Sequence, residues 1–377
     1  MSLSSQAPMT ISEFQHSFEE STPPGAAWKN DNIGLLVGRP DLVITNILVT
    51  LDVTMEVARE ALRKKANLIV AHHPIIFQPL KSVTSHSAKG QLLMFLIEHG
   101  IGVYAAHTNF DQVKHGVNFA LASRLGLTTV SVLSPMRDSL TKIAVFVPPD
   151  HAETVARAMH AQGAGMFSKY DECSFRSPGT GTFRGMNDAQ PFIGVVGALE
   201  KTPEVRIEML AERWKVNAVV RAMIDAHPYE EVAYDVYPLE NRNTEYGLGA
   251  VGMLPEAMMP EQFLRHTKEA LGAEGLRYAG AMKKKIRRVA VCGGSGAELI
   301  DDARRAGADA FVTADLKYHV MQEAAESLFI VDAGHYETEH VALGPLADRL
   351  RQIGRSAGAR GKIFVTHYTT NPIHFCS

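Results

Sequence analysis

The feature that most constrains the fold is an internal repeat. "ILVTLDVTMEVAREALRKKANLIVAHHP" at 47–74 and "VAVCGGSGAELIDDARRAGADAFVTADL" at 289–316 align without a gap, and Ala61, Arg63, Ala66 and Val70 fall opposite Ala303, Arg305, Ala308 and Val312. Each copy has an apolar strand, a turn, an amphipathic helix and a second apolar strand, the pattern of a parallel β-α-β unit. Further on, "VYAAHTNFD" (103–111) faces "VDAGHYETE" (331–339), with His107 opposite His335 and Asp111 opposite Glu339. The spacing between the two matches is shorter in the second copy. The pattern predicts an α/β protein built of two related halves, each a β-α-β unit followed by a further helix and strand. Chance likeness between two α/β units is the competing explanation.

At 377 residues the chain exceeds one ordinary core, and the text between the halves changes character. "TKIAVFVPPDHAETVARAMHAQGAG" (141–165) gives strand then helix, and "CSFRSPGTGTFRG" (173–185) gives strand and turn. "EVRIEMLAERWKVNAVVRAMIDAHP" (204–228) gives strand then helix, and "EEVAYDVYPLE" (230–240) a last strand. That order, β-α-β-β-α-β, is the split βαβ plan of an α/β sandwich. The expected organisation is a first α/β half at 1–137, an inserted module at 138–240 and a second α/β half at 241–377.

The chemistry concentrates at strand exits. "LIVAHHPIIF" (68–77) ends an apolar run on His72 and His73. Imidazole does not belong in a core unless its nitrogens find partners, and successive strand side chains point to opposite faces. Pro74 keeps His73 out of helix, so the pair belongs at the carboxyl end of a strand, where ligands bind in open α/β sheets. His335 and Glu339 are four residues apart after the strand "LFIVDAG", so a helix starting there places both on one face of its first turn. His107 and Asp111 repeat the arrangement. His72, His73, His107, Asp111, His335 and Glu339 are too many for one tetrahedral ion with an open position. Two divalent ions bridged by a carboxylate use them naturally, with Glu339 the bridge for its longer reach. A lone buried histidine is usually a hydrogen-bonded core residue, but adjacent histidines and paired His-xxx-acid segments favour metal.

At these residues the chain resembles a family, the NIF-three-like dinuclear-metal proteins, also known as GTP cyclohydrolase type-two homologues. The segments are "DNIGLLVG" (31–38), "AHHPIIFQPLKSV" (71–83), "AAHTNFD" (105–111), "ADLKYH" (314–319) and "DAGHYETE" (332–339), in order over nearly the whole chain. The resemblance implies His72, His73, Asp111, His335 and Glu339 as ligands of two divalent ions per chain, with His107 left as a near neighbour that either supports the ligands from behind or faces substrate. It also implies a hexameric ring and an insert similar to PII and CutA proteins, which "GAGMFSKYDECSF" and "HPYEEVAYDVY" look like. In the tail "TTNPIHF", Asn371 stands where the family's similar tail leads one to expect an acid.

Two functions follow. One is a metal-dependent hydrolase of a nucleotide or phosphoester with His107 moving the proton. The other is a non-catalytic regulatory or metal-handling protein whose insert senses a small molecule or partner. Imidazole and carboxylate ligands accept Zn, Mn, Fe or Ni alike. "CGGSG" (292–296) lacks GxGxxG and a P-loop lysine, so a tight turn beside the metals is expected there instead of a phosphate cradle. Net charge of −3 gives no electrostatic reason to bind nucleic acid or an acidic membrane surface. The opening "MSLSSQAPMT" has no signal-peptide pattern, and no apolar run approaches membrane-spanning length. Cys173, Cys292 and Cys376 form no CxxC, which fits a reducing cytoplasm and excludes a thiolate-clustered zinc site.

Overall fold

The computed structural model describes residues 8–356 and 361–376. Residues 1–7, most of the opening stretch expected to carry no signal peptide, lie outside them. The chain forms two compact units, residues 1–135 with 246–377, and residues 136–245. The described residues form a mixed α/β fold with three sheets. Among the described residues no helix is long and apolar enough to cross a membrane.

The larger unit holds two sheets. The first contains β1 (Gly34–Val37), β2 (Ile47–Thr50), β3 (Leu68–Ala71), β4 (Gly102–Ala105) and, from the far end of the chain, β15 (Ile363–Val365), in the order β1-β4-β3-β2-β15. All are parallel except β1, which runs antiparallel to β4. The second contains β5 (Thr128–Met136), β10 (Asn243–Met258), β11 (Arg277–Ala279), β12 (Ile286–Ser295), β13 (Ala310–Ala314) and β14 (Phe329–Asp332), in the order β11-β14-β13-β12-β10-β5. Its β12, β13 and β14 are parallel, flanked by antiparallel β10 and β11. Every residue of β2, β3, β4, β13 and β14 is buried, as parallel strands covered on both faces require.

The sheets do not respect the order of the chain. The helix Leu343–Ser356 puts Leu346, Ala347 and Leu350 into one apolar cluster with Val49, Leu68, Val70 and Tyr104 of the first sheet. The helix Val117–Arg124 puts Leu121 and Ala122 into the cluster of Val289, Val291, Val312 and Val331 of the second. With β5 in the second sheet and β15 in the first, each stretch lends its last helix and strand to the other's sheet. Apolar periodicity states that a face is buried but not which sheet buries it, so the exchange leaves no mark on the pattern.

The smaller unit contains β6 (Leu140–Val147), β7 (Phe175–Phe183), β8 (Glu200–Glu212) and β9 (Tyr234–Leu239), in the order β7-β8-β6-β9 with every neighbour antiparallel. The helices Ala152–Ala161 and Val216–Ala226 contribute Val155, Met159, Val219 and Met223 to a cluster with Ile143, Val145, Ile207 and Met209 of the sheet.

Candidate metal centre

The paired histidines leave the carboxyl end of β3 still tied to the sheet. His72 N–H donates to Thr50 O (3.0 Å) and His73 N–H to Leu51 O (2.9 Å). His72 is 1% exposed, and its Nδ1 lies 2.8 Å from Ala106 O. A carbonyl only accepts, so Nδ1 carries the hydrogen and Nε2 of the neutral ring presents a lone pair. Three other imidazoles are fixed by carboxylates instead. His73 Nδ1 lies 2.8 Å from Asp52 Oδ1, His107 Nδ1 2.8 Å from Asp31 Oδ1, and His335 Nδ1 2.7 Å from Asp315 Oδ2. A partner on one ring nitrogen sets the tautomer and aims the other, which is how metal-binding histidines are held. His335 and Glu339 do fall on one short helix, His335–Glu339, after Gly334 at φ +91°. Asp315 is itself left-handed, φ +57°, a conformation Asp tolerates better than most residues.

The freed atoms converge. Glu339 Oε2 lies 2.9 Å from His73 Nε2 and 3.2 Å from His335 Nε2, while Oε1 lies 3.7 Å from His72 Nε2. Asp111 Oδ1 lies 3.6 Å from the same His72 nitrogen. Despite these approaches, His72 Nε2, Asp111 Oδ1 and Glu339 Oε2 are buried without a partner in hydrogen-bond geometry. Carboxylate oxygens and ring lone pairs are all acceptors, so their convergence calls for protons or a cation between them. Among the described residues, two groups have ligand atoms close enough to hold a metal ion, His72 with His73 and His107, and His73 with His335 and Glu339. The donor set thus fits a metal.

Without a metal the cluster holds protons. Burial would push the His73 imidazole down, but its hydrogen bond to Asp52 and the nearness of Glu339 outweigh it and raise it to about 10. Contact with Glu339, more than offsetting burial, raises His335 to about 9. Burial, against the attraction of His72, lifts the Asp111 carboxyl to about 6. Glu339 is pulled the other way: burial would raise it, but the surrounding imidazoles hold it well below the carboxylate range. The Asp31 carboxyl, despite burial, is lowered to about 2 by His107 and Thr108.

"CGGSG" forms the underside of the centre. It is an irregularity at the end of β12, between Val291 and Ser295, in place of the expected tight turn. Gly294 N–H donates to Thr338 Oγ1 (2.9 Å), and a Cβ on Gly294, φ +60°, would meet Glu339 Oε1 at 2.3 Å. Gly294→Ala is therefore expected to displace the carboxylate and weaken metal binding by about tenfold or more. Gly272→Ala is the control, with φ +63° and nothing within 4 Å of its Cβ, costing only about 1 kcal/mol of backbone strain. Metal content per folded chain separates the two variants.

The sequence-predicted residues His72, His73, His107, Asp111, His335 and Glu339 are all brought to this one cluster. What the sequence did not single out is the outer layer of Asp31, Asp52 and Asp315. Asp31 and Asp315 lie within the quoted segments "DNIGLLVG" and "ADLKYH"; Asp52 and Asp315 follow the ends of β2 and β13, whereas Asp31 precedes β1, so an acid after a strand was an available signal for two of the three.

The model for the Duf34/NIF3 (NGG1p interacting factor 3) family matches residues 9–372. The chain belongs to the Duf34/NIF3 family. A Bacillus subtilis relative named "GTP cyclohydrolase 1 type 2 homolog" is 42% identical over 360 residues, covering 95% of this chain and 96% of the relative. A Mycobacterium tuberculosis relative of the same name is 36% identical over 339 residues, covering 88% and 89%. Among solved structures, a Bacillus cereus protein related to NIF3 superposes with a TM-score of 0.86 at 40% identity, covering 98% of this chain and all (100%) of that one. The Staphylococcus aureus protein SA1388 superposes at 0.80 and 29% identity, covering 98% and 99%. Each of these comparisons covers most of this chain and most of the other.

Proposed function

We propose that the protein is a dinuclear metal-dependent hydrolase acting on a nucleotide or phosphoester. The observation that carries the reading is that the two oxygens of one buried carboxylate, Glu339, face different histidines: Oε1 faces His72, and Oε2 faces His73 and His335. One divalent ion would be held by His72, Asp111 and Glu339, the other by His73, His335 and Glu339. Zn, Mn, Fe or Ni suits this donor set. When bound, such a pair brings the pKa of a water toward neutrality and polarises a phosphoryl oxygen. His107 has a ligand atom near those of His72 and His73, but in this reading it is not a ligand: with Nδ1 committed to Asp31, it accepts and returns a proton at Nε2. The name carried by the relatives supports a nucleotide as the first substrate class to try.

The rest of the assembly belongs to the same proposal. The halves descend from a duplication, which the matching β-α-β order and the reciprocal exchange of last helix and strand support. Residues 138–240 form a PII/CutA-like module, supported by its β-α-β-β-α-β order and its own apolar cluster. A homohexamer is what the motif resemblance implies.

The test is a panel of nucleotides and phosphoesters offered to protein reloaded with zinc or manganese. His107→Gln is expected to lower turnover about a hundredfold with metal content unchanged. Should no compound be turned over faster by the wild type than by His73→Ala, the weight moves to the regulatory, metal-handling protein.

A further inference from the structure

Residues 366–375 lie against the metal centre. The approach is anchored on the buried Glu60, whose carboxylate accepts from Thr366 Oγ1 (2.5 Å) and pairs with His367 Nδ1 (2.7 Å). Beyond that anchor, Thr370 Oγ1 donates to Asp52 Oδ2 (2.7 Å), and the other oxygen of Asp52 holds His73 Nδ1 (2.8 Å). Asn371 Nδ2 donates to Glu337 Oε1 (2.9 Å), and the Phe375 ring lies over Gly275, where a Cβ would meet it at 2.8 Å. Thr370, Asn371, Ile373 and Phe375 share with His73 and His335 the lining of a cavity of about 600 Å³. That is the size of a small-molecule site.

We propose that the segment Thr370–Phe375 is a working part of the metal centre: it walls the chamber in which a small substrate lies, and Thr370 is a positioning residue that aims His73 through Asp52. Asp52 has two oxygens and two directed partners, so the Thr370 hydroxyl fixes the plane of the carboxylate and with it the His73 ring. The amide at Asn371 suits its partner, Glu337. An acid at that position would set a second carboxylate against Glu337, whereas the amide donates to it. The inference rests on the metal site of the proposed function and not on the hydrolysis.

The experiment is competition for cobalt between the full chain and a chelator, followed by the visible spectrum of the bound ions. Thr370→Val removes the hydroxyl at nearly constant shape. It is expected to weaken one of the two ions about tenfold and to alter its spectrum, whereas Thr370→Ser restores both. Asn371→Asp should reproduce part of the loss. The melting temperature of the metal-free forms, expected unchanged between wild type and Thr370→Val, separates positioning from general destabilisation. Wild-type affinity and spectrum in Thr370→Val would overturn the proposal, as would a wild-type protein that takes up no cobalt. Because the readout is affinity, an absence of turnover bears on the hydrolase reading alone.

Discussion

Removing the metals should lower the melting temperature by on the order of 10 °C near neutral pH, and the gap between loaded and stripped protein should widen as pH rises. Ions bound far above their dissociation constants stabilise the folded state by about 3–4 kcal/mol each, since the unfolded chain has no such site. The pH dependence follows from the protons that the stripped site keeps. His73 and His335 are raised from 6.5 to about 10 and about 9 in the folded state. Between those limits the folded chain binds protons that the unfolded chain has released, so stripped stability falls with rising pH. Their contribution is fully present below 6.5 and lost as pH passes through about 9 and 10. Metal binding expels the same protons, so affinity runs in the opposite direction over the same window. Calorimetry of both forms across that window checks the pair of slopes; a gap that narrows with pH would contradict them.

The exchange of elements between the halves limits what chelation can do. The helices Leu343–Ser356 and Val117–Arg124 pack into the clusters of the first and second sheets through apolar side chains, none of them a candidate ligand. Loss of metal should soften the region around His72 and Glu339 without separating the sheets.

Glu339→Ala is the substitution with the largest expected effect on metal content. Its two oxygens reach toward different histidines, and it is only 4% exposed. Removal takes a ligand from each ion and leaves His72, His73 and His335 crowded without the anion that balances them. Both ions should be lost at ordinary metal concentrations, at a cost of at least about a hundredfold in affinity. Asp111→Ala touches only the His72 side and should release one ion while sparing the other.

Much of this centre was legible in the chain because it depends on local geometry. Adjacent histidines at the end of "LIVA" and a His-xxx-Glu after Gly334 need only a strand exit and one helical turn to be aimed, and spacing encodes both. The outer acids were hidden because their pairing is tertiary: Asp31 meets His107 across 76 residues, and Asp52 meets His73 across the β2–β3 crossover. The destination of the tail was hidden for the same reason. Nothing in "TTNPIHF" states that Thr370 will find Asp52, 318 residues away, although the amide at Asn371 is explained once Glu337 is seen opposite it. The exchange of last helix and strand was invisible to periodicity, which is satisfied equally well by either sheet.

The most direct measurement is the number of metal ions per chain, by elemental analysis against amino-acid quantification, for wild type, Asp111→Ala and Glu339→Ala prepared side by side. A dinuclear centre bridged by Glu339 predicts about two ions in the wild type, about one in Asp111→Ala and close to none in Glu339→Ala. A single wild-type ion that survives Glu339→Ala would contradict it.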